Sequence, residues 1–182
     1  TPLYSSAASD VYKRQLIGGL AGDALTTGVE NTAIGYFALS TEDTGSKNVA
    51  IGKGALAVLN FDGDGFNTAI GYNAGSAATS GVQNTLIGGL AGDALTTGTA
   101  NVAVGYLALS TEDAHGKNVA IGASALKVQD AGADAYNIAV GYNAGIAVTT
   151  GVQNTIIGGN AGDAITTGYI NTSLGYNTLG AL

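Results

Sequence analysis

The sequence has no cysteine, so neither a disulfide frame nor a thiolate metal site can form. Tryptophan and methionine are also absent, and proline and arginine occur once each, as Pro2 and Arg14. Only six residues are Lys or Arg against thirteen Asp or Glu, a formal charge of −7. A partner that presents a phosphate backbone needs clustered Lys and Arg, so no nucleic-acid partner is expected. No run of apolar residues approaches the length of a membrane-spanning helix. Glycine, by contrast, is plentiful at 30 residues, yet it follows no Gly-X-Y period, which excludes collagen.

What the sequence does contain is a repeat. An Asn-x-x-apolar-Gly cluster begins at Asn31, Asn48, Asn67, Asn84, Asn101, Asn118, Asn137, Asn154 and Asn171, with spacings of 17 or 19 residues. So strict a period predicts a solenoid in which each coil covers the next. Counting each Asn as position one, position four is always apolar, from Ile34 to Leu174, and position five is Gly. Position eight is Ala in every coil except the last, which has Thr178. Branched residues at positions two to four predict a short strand. The Gly that follows permits a bend at positive φ, and the recurring Ala implies a thin interior. Recurrent Gly and Thr argue against any helix. The second half of each coil, such as Ala94-Leu95-Thr96-Thr97-Gly98, is read as a second short strand and a turn. The fold expected is all-β: a parallel β-solenoid of about nine coils, roughly 45 Å long at ~4.8 Å per coil.

A second period of 70 residues lies above the first. Residues 47–52 recur as 117–122, and Gly71 to Gly75 recur as Gly141 to Gly145. The two 19-residue coils carry their extra residues at 60–66 and 130–136, where a loop on one face is expected. The chain ends inside a coil, which reads as a piece of a longer array. At the other end, residues 16–28 repeat as 86–98, but the match stops at Gln15. Residues 5–15, SSAASDVYKRQ, resemble a translated sequencing adapter. Residues 1–15 are therefore expected to be a non-native, disordered leader and 16–182 a single solenoid domain. Without the leader, four lysines face twelve carboxylates, a formal charge of −8.

Several residues could carry chemistry. The nine Asn side chains would stack in register and hydrogen-bond from coil to coil as a structural ladder. Tyr36, Tyr72, Tyr106, Tyr142 and Tyr176 hold position six in alternate coils, each able to lie over a small neighbour or to join a sugar-binding row. Asn60, Asp62 and Asp64 resemble the first half of a calcium loop, but Gly71 stands where the bidentate Glu is required, so this is a weak metal candidate. Glu42-Asp43 and Glu112-Asp113 are adjacent in turns and expected to be solvated, a poor geometry for an acid and base pair. His115 has Gly45 as its mate 70 residues earlier and reads as a solvated turn residue. The six-residue period of solenoid acyltransferases fails here: sixth residues from Ile87 are Asp93, Thr99 and Gly105. Paired Thr residues such as Thr96-Thr97 suggest ice binding, but neighbours on a strand face opposite ways. No catalytic residue and no cofactor is expected.

The run Asn-x-Val/Ala-Ile/Val-Gly with its following Ala resembles the head repeat of trimeric autotransporter adhesins, and related repeats of bacterial surface proteins and phage tail fibres. The resemblance covers residues 16–182. It implies a left-handed β-roll packed as a homotrimer at a cell or virion surface, facing a host protein or glycan receptor. It also implies that the position-four residues, with Val49, Val102, Val119 and Ile138 at position two, fill the core of the roll and the space between chains. The thin interior points to association as well, since one narrow roll buries little apolar surface against its backbone entropy. The function expected is a structural or adhesive surface fibre without catalysis, with a secreted glycan- or ice-binding module as the alternative.

Overall fold

The computed structural model describes residues 13–180. Ten three-residue strands form one parallel sheet in chain order: β1 (Gln15–Ile17), β2 (Thr32–Ile34), β3 (Val49–Ile51), β4 (Thr68–Ile70), β5 (Thr85–Ile87), β6 (Val102–Val104), β7 (Val119–Ile121), β8 (Ile138–Val140), β9 (Thr155–Ile157) and β10 (Thr172–Leu174). The chain is an all-β solenoid, and no helix occurs among the described residues. Pairing is in register throughout, so each position faces its own counterpart: Thr85 pairs Val102, Leu86 pairs Ala103 and Ile87 pairs Val104. The two 19-residue coils keep this register, with Val49 on Thr68 and Ala50 on Ala69. Their extra residues are absorbed in the loop and not in the sheet.

Strand alternation decides which residues line the interior, and it corrects one expectation. Successive side chains on a strand point to opposite faces, and position three is the one that points in. Ala33, Ala50, Leu86, Ala103 and Ile156 at position three are fully buried, whereas Ile121 and Ile157 at position four and Ile138 at position two are exposed. Positions two and four therefore do not fill the roll of this chain; they form its outer sheet face. Asn at position one shares the inward side and is likewise buried from Asn31 to Asn154, with Asn171 of the last coil half-buried.

The second half of the coil is not a strand, contrary to the sequence reading. Position seven and the residue before each Asn adopt left-handed backbone, as in Leu90 (φ 58°) and Gln83 (φ 61°), and so does position nine, as in Leu109 (φ 52°). Left-handed residues at such short spacing cannot continue an extended ladder. Local bonds reinforce the bends: Ala91 N–H donates to the Gly88 carbonyl and Leu95 N–H to that of Gly92. Coil-to-coil bonding nevertheless continues through these turns. The position-nine N–H donates to the position-eight carbonyl of the next coil, at 2.9 Å from Gly92 to Ala108 and 3.0 Å from Leu109 to Ala125.

The core is thin, as the recurring Ala implies, and filled by a size exchange that follows the four-coil block. Leu39 and Leu56 at position nine, then Leu109 and Leu126, are fully buried. The two coils after each pair have Gly at position nine. There the space is taken by leucines from elsewhere: a Cβ on Gly75 would lie 2.6 Å from Leu86 Cδ1 and 3.0 Å from Leu56 Cδ2. Side chains too large to stack on one another in one narrow lumen are staggered between two positions, which keeps the interior close-packed.

The expected boundary at residue 15 shifts. Residues 1–12 of the presumed leader lie outside the described residues. Gln15, however, opens β1 and pairs Thr32, adding a tenth rung to the nine coils counted from the Asn clusters. Arg14 stands at position one of that rung and donates from Nη1 to the Leu25 carbonyl (3.0 Å) and from Nη2 to that of Thr26 (2.6 Å). Lys13 pairs Glu30 at 3.7 Å. These three residues complete backbone and charge contacts of the first coil, so the ordered repeat begins before Leu16.

Candidate functional site

The Asn ladder is a backbone-satisfying device. Each Oδ1 accepts the N–H of the next ladder Asn, as from Asn101 to Asn84 (2.9 Å) and from Asn154 to Asn137 (2.8 Å). In the 17-residue coils Nδ2 donates to a carbonyl fourteen residues on, as from Asn31 to Gly45 (2.7 Å), Asn84 to Gly98 (2.8 Å) and Asn101 to His115 (3.1 Å). One side chain thus closes its own coil and ties it to the next. Direct amide-to-amide bonds occur only locally, as between Asn67 and Asn48 and between Asn171 and Asn154. The 19-residue coils displace the usual carbonyl: Asn48 turns to Ser46 (3.1 Å), and Asn118 Nδ2 is buried with no partner.

The acid pairs are where the structure departs furthest from expectation. Glu42 and Glu112 are fully buried, not solvated. Both sit at position twelve, an inward position held by Leu59, Leu95 and Val148 in other coils. Glu42 accepts the Gly45 N–H on Oε1 (2.8 Å) and the Phe61 N–H on Oε2 (3.3 Å). Glu112 accepts the His115 N–H (3.1 Å) and faces His115 Nδ1 (3.2 Å), while its Oε2 accepts from Gln129 Nε2 (3.2 Å). The signal was present in sequence: aligned coil by coil, these acids stand in an apolar column. Burial pushes both carboxyls above the usual range, partly countered by the backbone donors; at Glu42, Asp43 adds to the rise.

That shift fixes a pH dependence. Because the folded-state value of Glu42 lies above its unfolded one, its contribution favours folding at acid pH and is lost as pH rises through the folded value. Glu42→Gln should therefore flatten the part of the melting-temperature profile between roughly pH 4.5 and neutrality. Thermal unfolding of both proteins across that range checks it. A wild-type advantage over the variant that grows toward neutral pH would contradict the assignment.

The loop residues are otherwise engaged. Asp62 accepts the Thr44 hydroxyl and Asp64 pairs Lys47 at 2.6 Å, so the two carboxylates of the calcium-like run Asn60, Asp62 and Asp64 are each held by the preceding coil. In the second block Lys117 pairs Asp134 at 2.6 Å and reaches the Tyr136 hydroxyl at 3.1 Å. That bond holds Lys117 up and Asp134 down from their ordinary values. Among the described residues the group with metal-ligand proximity is a different one: Glu112, Asp113, His115 and Asp130, whose ligand atoms all lie within 4.8 Å of one another.

The outer face carries the remaining candidates. The position-six tyrosines are exposed, from 50% at Tyr36 to 78% at Tyr176. Three of them also cover a glycine of the preceding coil: a Cβ on Gly19 would meet the Tyr36 ring at 3.4 Å, one on Gly89 the Tyr106 ring at 3.6 Å, and one on Gly159 the Tyr176 ring at 3.5 Å. Under Tyr72 the matching residue of the preceding coil is Lys53 in place of a small one, and its ammonium lies 5.7 Å from the ring centre. The row therefore packs along one edge and presents its other side outward. Beside it run the outward residues of positions two and four, Val102, Val104, Val119 and Ile121 among them. No described helix is long and apolar enough to cross a membrane. Comparisons with protein-family models, with curated proteins and with solved structures find no match to this chain.

Proposed function

We propose that this chain is a structural and adhesive segment of an extracellular fibre, at a cell or virion surface, that associates as a homotrimer and performs no catalysis. The observation that carries the reading is the outer sheet face. Ten rungs in register present two rows of largely β-branched residues outward, over an interior lined mainly by Ala. The position-four row is Ile, Val or Leu in every rung, and with the Val and Ile of position two it makes an apolar stripe, interrupted by Thr, of the kind that marks an association surface. Covering it with two further copies gives the surface burial that the thin lumen withholds. The resemblance to adhesin-head and tail-fibre repeats points the same way, and a host-surface protein or glycan is the receptor class it suggests. The acidic balance disfavours nucleic acid.

Sedimentation equilibrium at tens of micromolar tests the association, with a trimer mass expected. Val104→Lys, on the outward face, should weaken association by at least ~tenfold, since a buried charge costs more than ~1.4 kcal/mol. Its β-rich circular dichroism should remain. A well-folded wild-type monomer would refute the trimer. The exposed tyrosine row supports a second reading, a glycan-binding module. A monomer that binds glycans and loses them on Tyr106→Ala is the outcome expected from it.

A further inference from the structure

The two four-coil blocks of this chain serve as a comparison within one molecule. At the start of the insertion loop the first block has Glu42, Asp43, Gly45, Leu59 and Asn60. Seventy residues on, the second has Glu112, Asp113, His115, Gln129 and Asp130. Three of the differences between the blocks meet at this one place, and each strengthens its polar donor set: glycine becomes imidazole, leucine becomes an amide, and an amide becomes a carboxylate. In the first block Glu42 is satisfied by two backbone N–H groups beneath a buried Leu59. In the second, the buried Glu112 has a histidine nitrogen at 3.2 Å, with the Asp113 and Asp130 carboxylates close by.

Gln129 supplies an independent observation. It is fully buried, and it is held against the cluster by the bond from its Nε2 to Glu112 Oε2. Its Oε1 is buried with no hydrogen-bond partner. A buried oxygen left unsatisfied costs free energy, and an ion held at Glu112, to which the same amide is bonded, would be close enough to offset part of that cost by its charge. Burial grades across the cluster: Glu112 is inside, His115 half-buried, and Asp113 and Asp130 are exposed. An ion could thus enter from solvent between the two aspartates and be held from below by Glu112.

We propose that Glu112, Asp113, His115 and Asp130 form a binding site for a divalent first-row transition ion, present in the second block and absent from the first. One imidazole nitrogen with three carboxylate oxygens gives four donors, a set that zinc accepts and that the nitrogen biases away from calcium and magnesium. The ion would join the position-twelve column of one coil to the insertion loop of the next, so it would brace the solenoid where the chain is longest between rungs. This goes beyond the fibre reading and does not depend on it.

The test is isothermal titration of zinc chloride into the full chain, purified without a histidine tag, alongside thermal unfolding with and without zinc. Calcium chloride runs in parallel. One zinc per chain and a raised melting temperature are expected, since an ion that binds only the folded state stabilises it. His115→Gly and Asp130→Asn copy the first block, whose residues this fold already accommodates. Each should lower zinc affinity by at least ~tenfold and reduce the thermal gain. Asp43→Asn, in the first block, should change neither. Zinc affinity unaltered by His115→Gly, no zinc binding at millimolar concentration, or calcium bound more tightly than zinc would each overturn the site.

Discussion

Gly105→Ala should be among the most damaging single substitutions in the chain, costing about 4 kcal/mol or more, or preventing folding. Gly105 lies at position five with φ of 139°, a region that residues with a Cβ scarcely enter. A Cβ added there would sit 2.5 Å from the carbonyl carbon and oxygen of Gly122 in the next coil. The obstacle is backbone, and Gly122 has its own neighbour Gly141 stacked on it in the same way, so the rung above cannot yield without moving the ladder. Gly175→Ala is the control. Its φ is 121°, but the nearest atom to its Cβ would be Thr178 Cγ2 at 3.3 Å. That variant carries the backbone penalty alone, about 1–3 kcal/mol. Thermal and urea unfolding of both variants measure the difference. Equal losses would mean that conformation, and not the glycine stack, accounts for position five.

Asn84→Ala should cost about 4 kcal/mol, far above an ordinary surface substitution. Removing this amide orphans two backbone groups at once: the Asn101 N–H that Oδ1 accepts, at 2.9 Å, and the Gly98 carbonyl that Nδ2 reaches, at 2.8 Å. Both lie inside a coil where Asn84 and Asn101 are buried. An unsatisfied buried group costs roughly 1–3 kcal/mol, so two of them dominate over the lost volume. Asn118→Ala should be milder, because the Asn118 Nδ2 has no partner to lose. The comparison is made by urea midpoint under identical conditions. A loss below ~1 kcal/mol for Asn84→Ala would show that water replaces the amide.

The contrast between legible and illegible positions has a physical basis. The period, the all-β stacking and the bend at position five could be read because Asn and Gly are irreplaceable there: one must fill two backbone vacancies and the other must have no side chain. Position four was placed in the core of the roll by the resemblance to adhesin-head repeats, and its uniform apolarity offered no objection, whereas the true inward position three varies among Ala, Leu, Ile and Ser and looks less regular. Apolarity at position four reflects an outer face, which periodicity alone cannot tell from an inner one. The second strand was inferred from apolar pairs such as Ala94-Leu95, but left-handed residues on either side turn that segment instead. Glu42 and Glu112 were read as solvated because charge in a turn normally is. Their burial follows from column alignment, where each replaces a leucine or valine. His115 acquired its interest only when the fold buried its near neighbour Glu112 and brought Asp130 of the next coil beside the pair.

The direction of the hydrogen bonds has a mechanical meaning. Strand pairing and the Asn ladder bond each coil to the next, so they run along the solenoid axis. A pull along that axis does not meet all rungs together, as it would across strands loaded in shear. It meets the outermost rung, whose failure hands the load to the one behind. Each event releases one coil, about 55 Å of extended chain for a 17-residue turn. Such a segment would lengthen in steps under tension instead of breaking, and the brace proposed at Glu112 and His115 would set one step apart from the rest.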